Sequence, residues 1–234
     1  MTLKQKQSRL KTVVSLLLKR YPMPQAPTEE KLNLLQLVAL GAVSDDPYAP
    51  AALQLIRRME KDYVDWNEIR VTSTYELDEI FGAYHLDPRH ATMLKNVLQL
   101  IFEQENRLTP DLTSDEEPET IKAYLSGYKD FPRAVQDTVL LLLDGGKDIP
   151  ISETVLRFTS RIGVAAADSS VNSVQLLYRK VSAGKSSRVA HYAICCHCRE
   201  LCREKPLCKK CFLVTHCDYG TKQVSGKPAK AATE

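Results

Sequence analysis

The sequence predicts an all-α fold, on three observations. Leucine, valine and isoleucine recur along most of the chain at three- and four-residue spacing, the helical period, with few of the alternations that mark half-buried strands. Nine glycines and twelve prolines are too few for a turn-rich β architecture of this size. A chain of 234 residues, 44% hydrophobic and 26% charged, can build a core for one large or two small domains, which excludes a disordered or fibrous protein.

From Gln5 to Tyr21, Leu10, Val13, Val14, Leu17 and Leu18 fall at helical spacing, and PMPQAP then stops the helix. Thr28, with Glu29 and Glu30 behind it, opens a second helix whose apolar run Leu32 to Leu40 ends at Gly41. Further helices are expected over 48–62, 74–81 and 87–105. The last is opened by Asp87-Pro88 and turns Met93, Leu94, Val97, Leu98 and Ile101 inward. Trp66 and Tyr75 are read as core residues. RLTPDLTSDEEPE, at 107–119, is acidic, holds two prolines and lacks an apolar face, so it reads as a loop. Helices follow near 119–126, 132–144, 152–163 and 171–182, and a stretch over 186–200 leads into the cysteines. DGGK at 144–147 is read as a helix C-cap, because it lacks phosphate-loop spacing. The tail KQVSGKPAKAATE is basic, of low complexity and expected to be disordered. No internal repeat is visible.

The expected organisation is a basic N-terminal helix over 1–20, a helical lobe over 21–106, the acidic linker 107–119, a second helical region over 120–185, a cysteine loop over 186–219 and a basic tail over 220–234. No apolar run approaches the roughly 18 residues that span a bilayer, and the polar, basic MTLKQKQSRLKTVV lacks the apolar segment of a signal peptide. A cytoplasmic protein is expected, with no membrane partner.

Charge is unevenly spread. Residues 1–20 carry six basic side chains and no acid, and residues 179–234 carry twelve basic side chains against four acids, so the middle of this +3 chain is strongly acidic. Basic ends that fold onto one face would attract a polyanion such as a phosphate backbone.

All seven cysteines, Cys195, Cys196, Cys198, Cys202, Cys208, Cys211 and Cys217, fall within 23 residues. A disulfide framework spreads its cysteines through the chain, whereas such a cluster reads as metal ligation. The strongest pattern is CREKPLCKKCFLVTHC, Cys202-x5-Cys208-x2-Cys211-x5-Cys217, four soft donors at short intervals that suit tetrahedral zinc or an iron–sulfur cube. A zinc ribbon pairing Cys195-x2-Cys198 with Cys208-x2-Cys211 is the alternative. His191, His197 and His216 lie nearby, but cysteines committed to metal are poor nucleophiles.

This run resembles the C-terminal loop of the endonuclease III-like DNA glycosylases of the helix-hairpin-helix superfamily, which binds a four-iron, four-sulfur (4Fe-4S) cluster through Cys-x6-Cys-x2-Cys-x5-Cys with a Lys-Pro before the second cysteine. Lys205-Pro206 stands where that family has its Lys-Pro, and AHYAICCHCREL is similar to its helix into the first ligand. An ungapped comparison puts Leu201 at the first ligand and Cys202 one residue late. The resemblance implies a 4Fe-4S cluster on Cys202, Cys208, Cys211 and Cys217, with Cys198 as the substitute first ligand; zinc is the alternative that the spacing alone leaves open.

The resemblance runs from about Leu17 to Tyr219 and implies a two-lobed helical fold. The family's Leu-Pro-Gly-Val-Gly hairpin, whose backbone N–H groups hold a DNA phosphate, matches Leu125-Ser126-Gly127-Tyr128-Lys129-Asp130-Phe131-Pro132-Arg133. One glycine remains in a longer loop, and Gly127, Lys129 and Arg133 are the candidate contacts to duplex DNA. PRAVQDTVLLLL resembles the helix that carries the family's Schiff-base lysine, and IPISETVLRF the segment that carries its aspartate. Ala134 stands at the lysine position and Ser152 at the aspartate position. Ser152 keeps the helix cap without the charge, and Glu153, next to it, is the nearest carboxylate. The glutamine that enters the DNA where a base is flipped has no counterpart in Leu40-Gly41-Ala42-Val43-Ser44-Asp45-Asp46.

Three functions compete. The first is a DNA-binding relative in base excision repair that keeps scaffold and cluster without catalysis. The second is an active DNA glycosylase/AP lyase using displaced groups, with Ser152 and Glu153 as its catalytic candidates. The third is a zinc-stabilised interaction module.

Overall fold

A computed structural model of the chain describes residues 1–24, 32–108, 115–143, 146–181 and 185–225. The described residues form helices joined by turns and two 3₁₀ turns, with no strand among them, as the spacing of the apolar residues requires. They divide into two compact units, Gln25–Pro150 and Met1–Pro24 with Ile151–Glu234, so the basic N-terminus and the cysteine-rich C-terminus belong to the same unit. The described ends of the acidic segment, residues 107–108 and 115–119, belong to the other unit.

The unit over Gln25–Pro150 is built on α2 (Leu34–Val43), buried almost all round, as expected of a helix with leucine or another apolar residue at nearly every position. α2 packs against α6 (Arg89–Glu105), α3 (Pro50–Asp62) and α8 (Arg133–Leu142), while α4 (Trp66–Val71) and α5 (Thr74–Ala83) pack against α6, and α7 (Pro118–Gly127) against α8. Helix starts follow local chemistry. Asn33 and Gln36 form a capping box at α2, and the Asp65 and Ser73 side chains accept the Glu68 and Glu76 N–H groups. Before α6, Asp87 accepts the Arg89 N–H at 2.9 Å and pairs with the Arg89 guanidinium. These bonds hold the Asp87 carboxyl below its ordinary range.

Two expectations are corrected here, and a third falls on residues outside the described set. Residues 25–31 lie outside the described residues, so the start expected at Thr28 is not seen, and the described helix begins at Leu34 behind the Asn33 cap. Tyr75 is 73% exposed, because Leu77 and Phe81 take the buried face of α5; Trp66 is half-buried against the core. A short helix, α4, fills a stretch where none was expected. At the C-cap expected over 144–147, residues 144–145 lie outside the described set. Gly146 donates its N–H to the Leu140 carbonyl at 2.8 Å, and a Cβ there would lie 2.7 Å from the Leu141 nitrogen.

In the other unit, α1 (Leu3–Arg20) opens with a capping box between Thr2 and Gln5 and buries Leu10, Val13, Val14 and Leu17. It packs against α11 (Lys185–Glu200) and α10 (Val171–Arg179), and α9 (Glu153–Arg161) packs against α10 and α11. The 3₁₀ turns Cys208–Lys210 and Val214–His216 lead into α12 (Asp218–Ser225), which packs against both turns and α9. The tail expected to be disordered is therefore helical to Ser225, and its remainder, 226–234, lies outside the described residues. No described helix is long and apolar enough to cross a membrane.

Candidate metal centre and nucleic-acid interface

Cys202, Cys208, Cys211 and Cys217 line a single small cavity with room of about 20 Å³ for water-sized solvent. Phe158, Arg161 and Ile162 of α9, His197 of α11, and Leu201, Pro206, Leu213, Tyr219 and Gly220 complete its wall. Among the described residues no three cysteine, histidine or acidic side chains gather closely enough to hold one ion. Cys195, Cys196 and Cys198 are buried on α11 and are not among the lining residues. Cys198 nonetheless bonds the Cys202 thiol from one turn earlier. Cys195 lies 3.6 Å from His191 Nε2, and Cys196 accepts a bond from Arg199.

Arg161 of α9 ties down the start of the loop. Arg161 donates to the carbonyls of Cys202 (3.0 Å), Arg203 (2.6 Å) and Glu204 (2.8 Å), reaches Cys202 Sγ at 3.5 Å and lies over the Tyr219 ring. At the other end of the loop, Cys217 Sγ lies 3.1 Å from the Arg161 carbonyl and accepts the Gly220 N–H at 3.2 Å. Hydrogen bonding from Cys198, with help from His197 and Arg161, outweighs burial and brings the Cys202 thiol down to about 4. The same pairing, with burial, pushes Cys198 up. Burial lifts Cys208, and lifts Cys217 to about 11. Four soft donors around one cavity, one of them favouring the thiolate, fit a polynuclear iron–sulfur group.

A second clasp holds the basic N-terminal helix beside this loop. Arg9 pairs with Asp218 at 2.6 Å and donates to the Ile162 carbonyl at 3.0 Å. Gly163 makes room for the pair: its φ is +79°, and a Cβ would fall 1.9 Å from Asp218 Oδ2 and 2.9 Å from an Arg9 guanidinium nitrogen. Gly163→Ala is expected to displace that pair and to cost about 1–2 kcal/mol by urea denaturation, chiefly through the left-handed backbone. A double variant with Arg9→Ala should cost less than the sum of the two.

The candidate DNA contacts lie in the Gln25–Pro150 unit. Tyr128–Pro132 join α7 to α8, and Gly127, Lys129 and Arg133 are all exposed. The left-handed residue of this turn is Asp130, with φ +61°, and Gly127 is not among the positive-φ residues. Arg133 lies 3.6 Å from Asp137 one turn on, and Lys129 is solvent-facing beside them. Tyr128 is anchored beneath the turn: its hydroxyl and that of Tyr124, 2.6 Å apart, both bond Glu105 Oε1.

Ala134 lies in the first turn of α8, half-buried, and its carbonyl accepts a bond from Thr138. Ser152 caps α9, its Oγ accepting the Val155 N–H at 3.4 Å, and Glu153 is exposed in the first turn. Over Leu40–Asp46, α2 ends at Ser44, Asp46 accepts the Tyr48 N–H, and His90 bonds the Ala42 carbonyl. Arg161, Gly163, Glu105 and Asp130 were not singled out from the sequence. Their contacts either bridge distant positions or depend on a backbone angle that no spacing pattern encodes.

No protein-family profile matches the chain. Endonuclease III of Sulfolobus acidocaldarius is 24% identical over 130 residues, 55% of this chain and 56% of that protein, so the match spans about half the length of this curated relative. Among solved structures, a non-covalent endonuclease III–DNA complex superposes over 96% of this chain and 99% of its own, with a TM-score of 0.66 and 17% identity. A trapped covalent endonuclease III–DNA intermediate gives 0.64 at 18% identity, over 96% and 99% of the two chains. A thermostable thymine-DNA glycosylase gives 0.56 at 16%, over 94% and 98%. The fold is that of endonuclease III, as the resemblance implied.

Proposed function

We propose that this endonuclease III-like chain binds duplex DNA, holds a 4Fe-4S cluster on Cys202, Cys208, Cys211 and Cys217, and has lost the glycosylase and lyase chemistry of its relatives. The convergence of those four cysteines on one cavity, under the Arg161 strap, carries the reading. When bound, the cluster supplies a rigid, thiolate-tied centre that fixes the 202–217 loop. Base excision repair is the setting that the fold suggests, and a DNA-bound protein would sit on the nucleoid in the cytoplasm.

The chain's own residues define the rest. Lys129 and Arg133, both exposed at the α7–α8 turn, are the cations suited to a phosphate. Ala134 offers no amine for a Schiff base, and the Ser152 hydroxyl is committed to capping α9. Glu153, exposed in the first turn, stabilises the helix dipole. A catalytic reading, in which Glu153 supplies the missing carboxylate, is tested by incubating the protein with duplexes carrying oxidised bases or abasic sites and trapping with borohydride. A covalent adduct would restore the lyase reading, and a blank across substrates is expected.

For binding, duplex affinity should fall steeply between low and physiological salt. Lys129→Glu with Arg133→Glu should weaken it roughly uniformly across sequences and reduce the salt slope by about two. No complex at low salt would end the proposal. Iron, acid-labile sulfide and zinc per chain, measured on protein purified without oxygen, test the cofactor: about four iron and four sulfide are expected. One zinc and no iron would favour the interaction-module reading.

A further inference from the structure

We propose that His197 donates a hydrogen bond through Nε2 to the sulfurs of Cys202 and Cys211, and thereby raises the reduction potential of the cluster those cysteines hold. The inference rests on the cluster reading above. His197 stands one turn before Leu201, is 1% exposed and lines the cysteine cavity. Its Nε2 lies 3.8 Å from Cys211 Sγ, and the side chain also bonds Cys202. The rings of Tyr21, Phe158 and Phe212 stand 5.4–6.2 Å from it, centroid to centroid.

The other ring nitrogen decides the role. Nδ1 is buried and has no hydrogen-bond partner. An imidazole that ligates metal through Nε2 carries its hydrogen on Nδ1, and such ligands almost always donate it to a carboxylate, a carbonyl or water. Here that hydrogen would be buried among aromatic rings with nothing to accept it, at a cost of about 1–3 kcal/mol. Placing the hydrogen on Nε2 leaves only a lone pair facing the aromatic edges and directs the N–H at two thiolates. His197 is thus a donor to the ligands and not a ligand itself.

Donation to thiolate sulfur withdraws negative charge, which favours the more negative, reduced cluster and moves its potential upward. Cys202 is the natural target, because it stands one residue from the position that the family's spacing assigns to the first ligand. It receives His197 on one side and Arg161 on the other. The extra donor is a means of holding a displaced thiolate in the ligand set.

The test uses the full chain, purified anaerobically, as wild type, His197→Phe and His197→Gln. The phenylalanine keeps the aromatic packing without a donor, and the glutamine keeps a donor. With iron and sulfide confirmed, spectroelectrochemical titration should place His197→Phe at a more negative potential than wild type, with His197→Gln moved back toward it. A fully loaded His197→Phe at the wild-type potential overturns the inference. Wild-type protein labelled with ¹⁵N-histidine gives a second reading that needs no variant to fold: the His197 Nε2 should be protonated and Nδ1 bare. The reverse tautomer, or Nε2 bonded to metal, overturns the inference. If the wild type holds zinc and no iron, the cluster reading fails by itself, and the nitrogen spectrum still decides where the hydrogen sits.

Discussion

Arg161→Ala is expected to lower the midpoint of thermal unfolding, to cost about 3 kcal/mol, and to leave the 202–219 loop open to proteolysis in an otherwise folded chain. One guanidinium satisfies three successive backbone carbonyls of a segment that has no regular secondary structure to satisfy them, and it also reaches Cys202 Sγ. Bonds from a charged donor contribute roughly 1.5–3 kcal/mol each, and the carbonyls that become solvent-exposed in the variant recover part of that in water. Arg161→Lys should rescue little, because an ammonium on a flexible stem cannot reproduce a planar fork addressed to several acceptors. Metal content measured alongside stability separates two roles. If the strap only positions the loop, both variants lose metal in proportion to loop opening; unchanged stability and unchanged metal in Arg161→Ala would refute both.

The contrast between what could and could not be read in advance follows from interaction range. Ser152 caps its helix through a bond to the residue three positions on, a signal that survives in sequence because cap and partner travel together, while the same signal at Asn33 and Asp65 went unread. The α7–α8 pair and the long α6 were legible for the same reason, their apolar stripes being local and periodic. Tyr75 misled because an aromatic near a helix start carries no mark of which face it occupies until Leu77 and Phe81 have claimed the core. The site divided along the same line. The four cysteines lie close in sequence, so their spacing announced them. Arg161 lies 41–43 residues from the carbonyls it holds and Arg9 209 residues from Asp218, and no periodicity records a contact over that distance. Ala134 and Ser152 could be singled out only against a resemblance, which leads one to expect a lysine and an aspartate there.

The second large effect is expected beneath the α7–α8 turn. Tyr128, 3% exposed, follows Gly127, and its hydroxyl and that of Tyr124 converge on Glu105 Oε1 from α7 and the turn. Glu105→Ala would remove the acceptor that the two hydroxyls share and leave them only the bond to each other, for about 1–3 kcal/mol, while Glu105→Gln keeps an acceptor and should cost about 1 kcal/mol. Under the proposed reading the cost should also show in duplex affinity, because Tyr128 pins the backbone that lies between Gly127 and Lys129. The pH dependence follows from burial, which together with the Glu105 bond pushes the Tyr124 hydroxyl up to about 12 from 10.0 and pushes Tyr128 further in the same direction. A raised folded-state value means that the folded chain keeps its proton where the unfolded chain has released it. The contribution is therefore complete below pH 10 and is lost as pH rises from about 10 through about 12. Wild-type protein should lose stability over that window in urea titrations, and Tyr124→Phe, less stable at neutral pH, should lose less of it there. Parallel losses in the two proteins would mean that Tyr124 carries none of the alkaline transition.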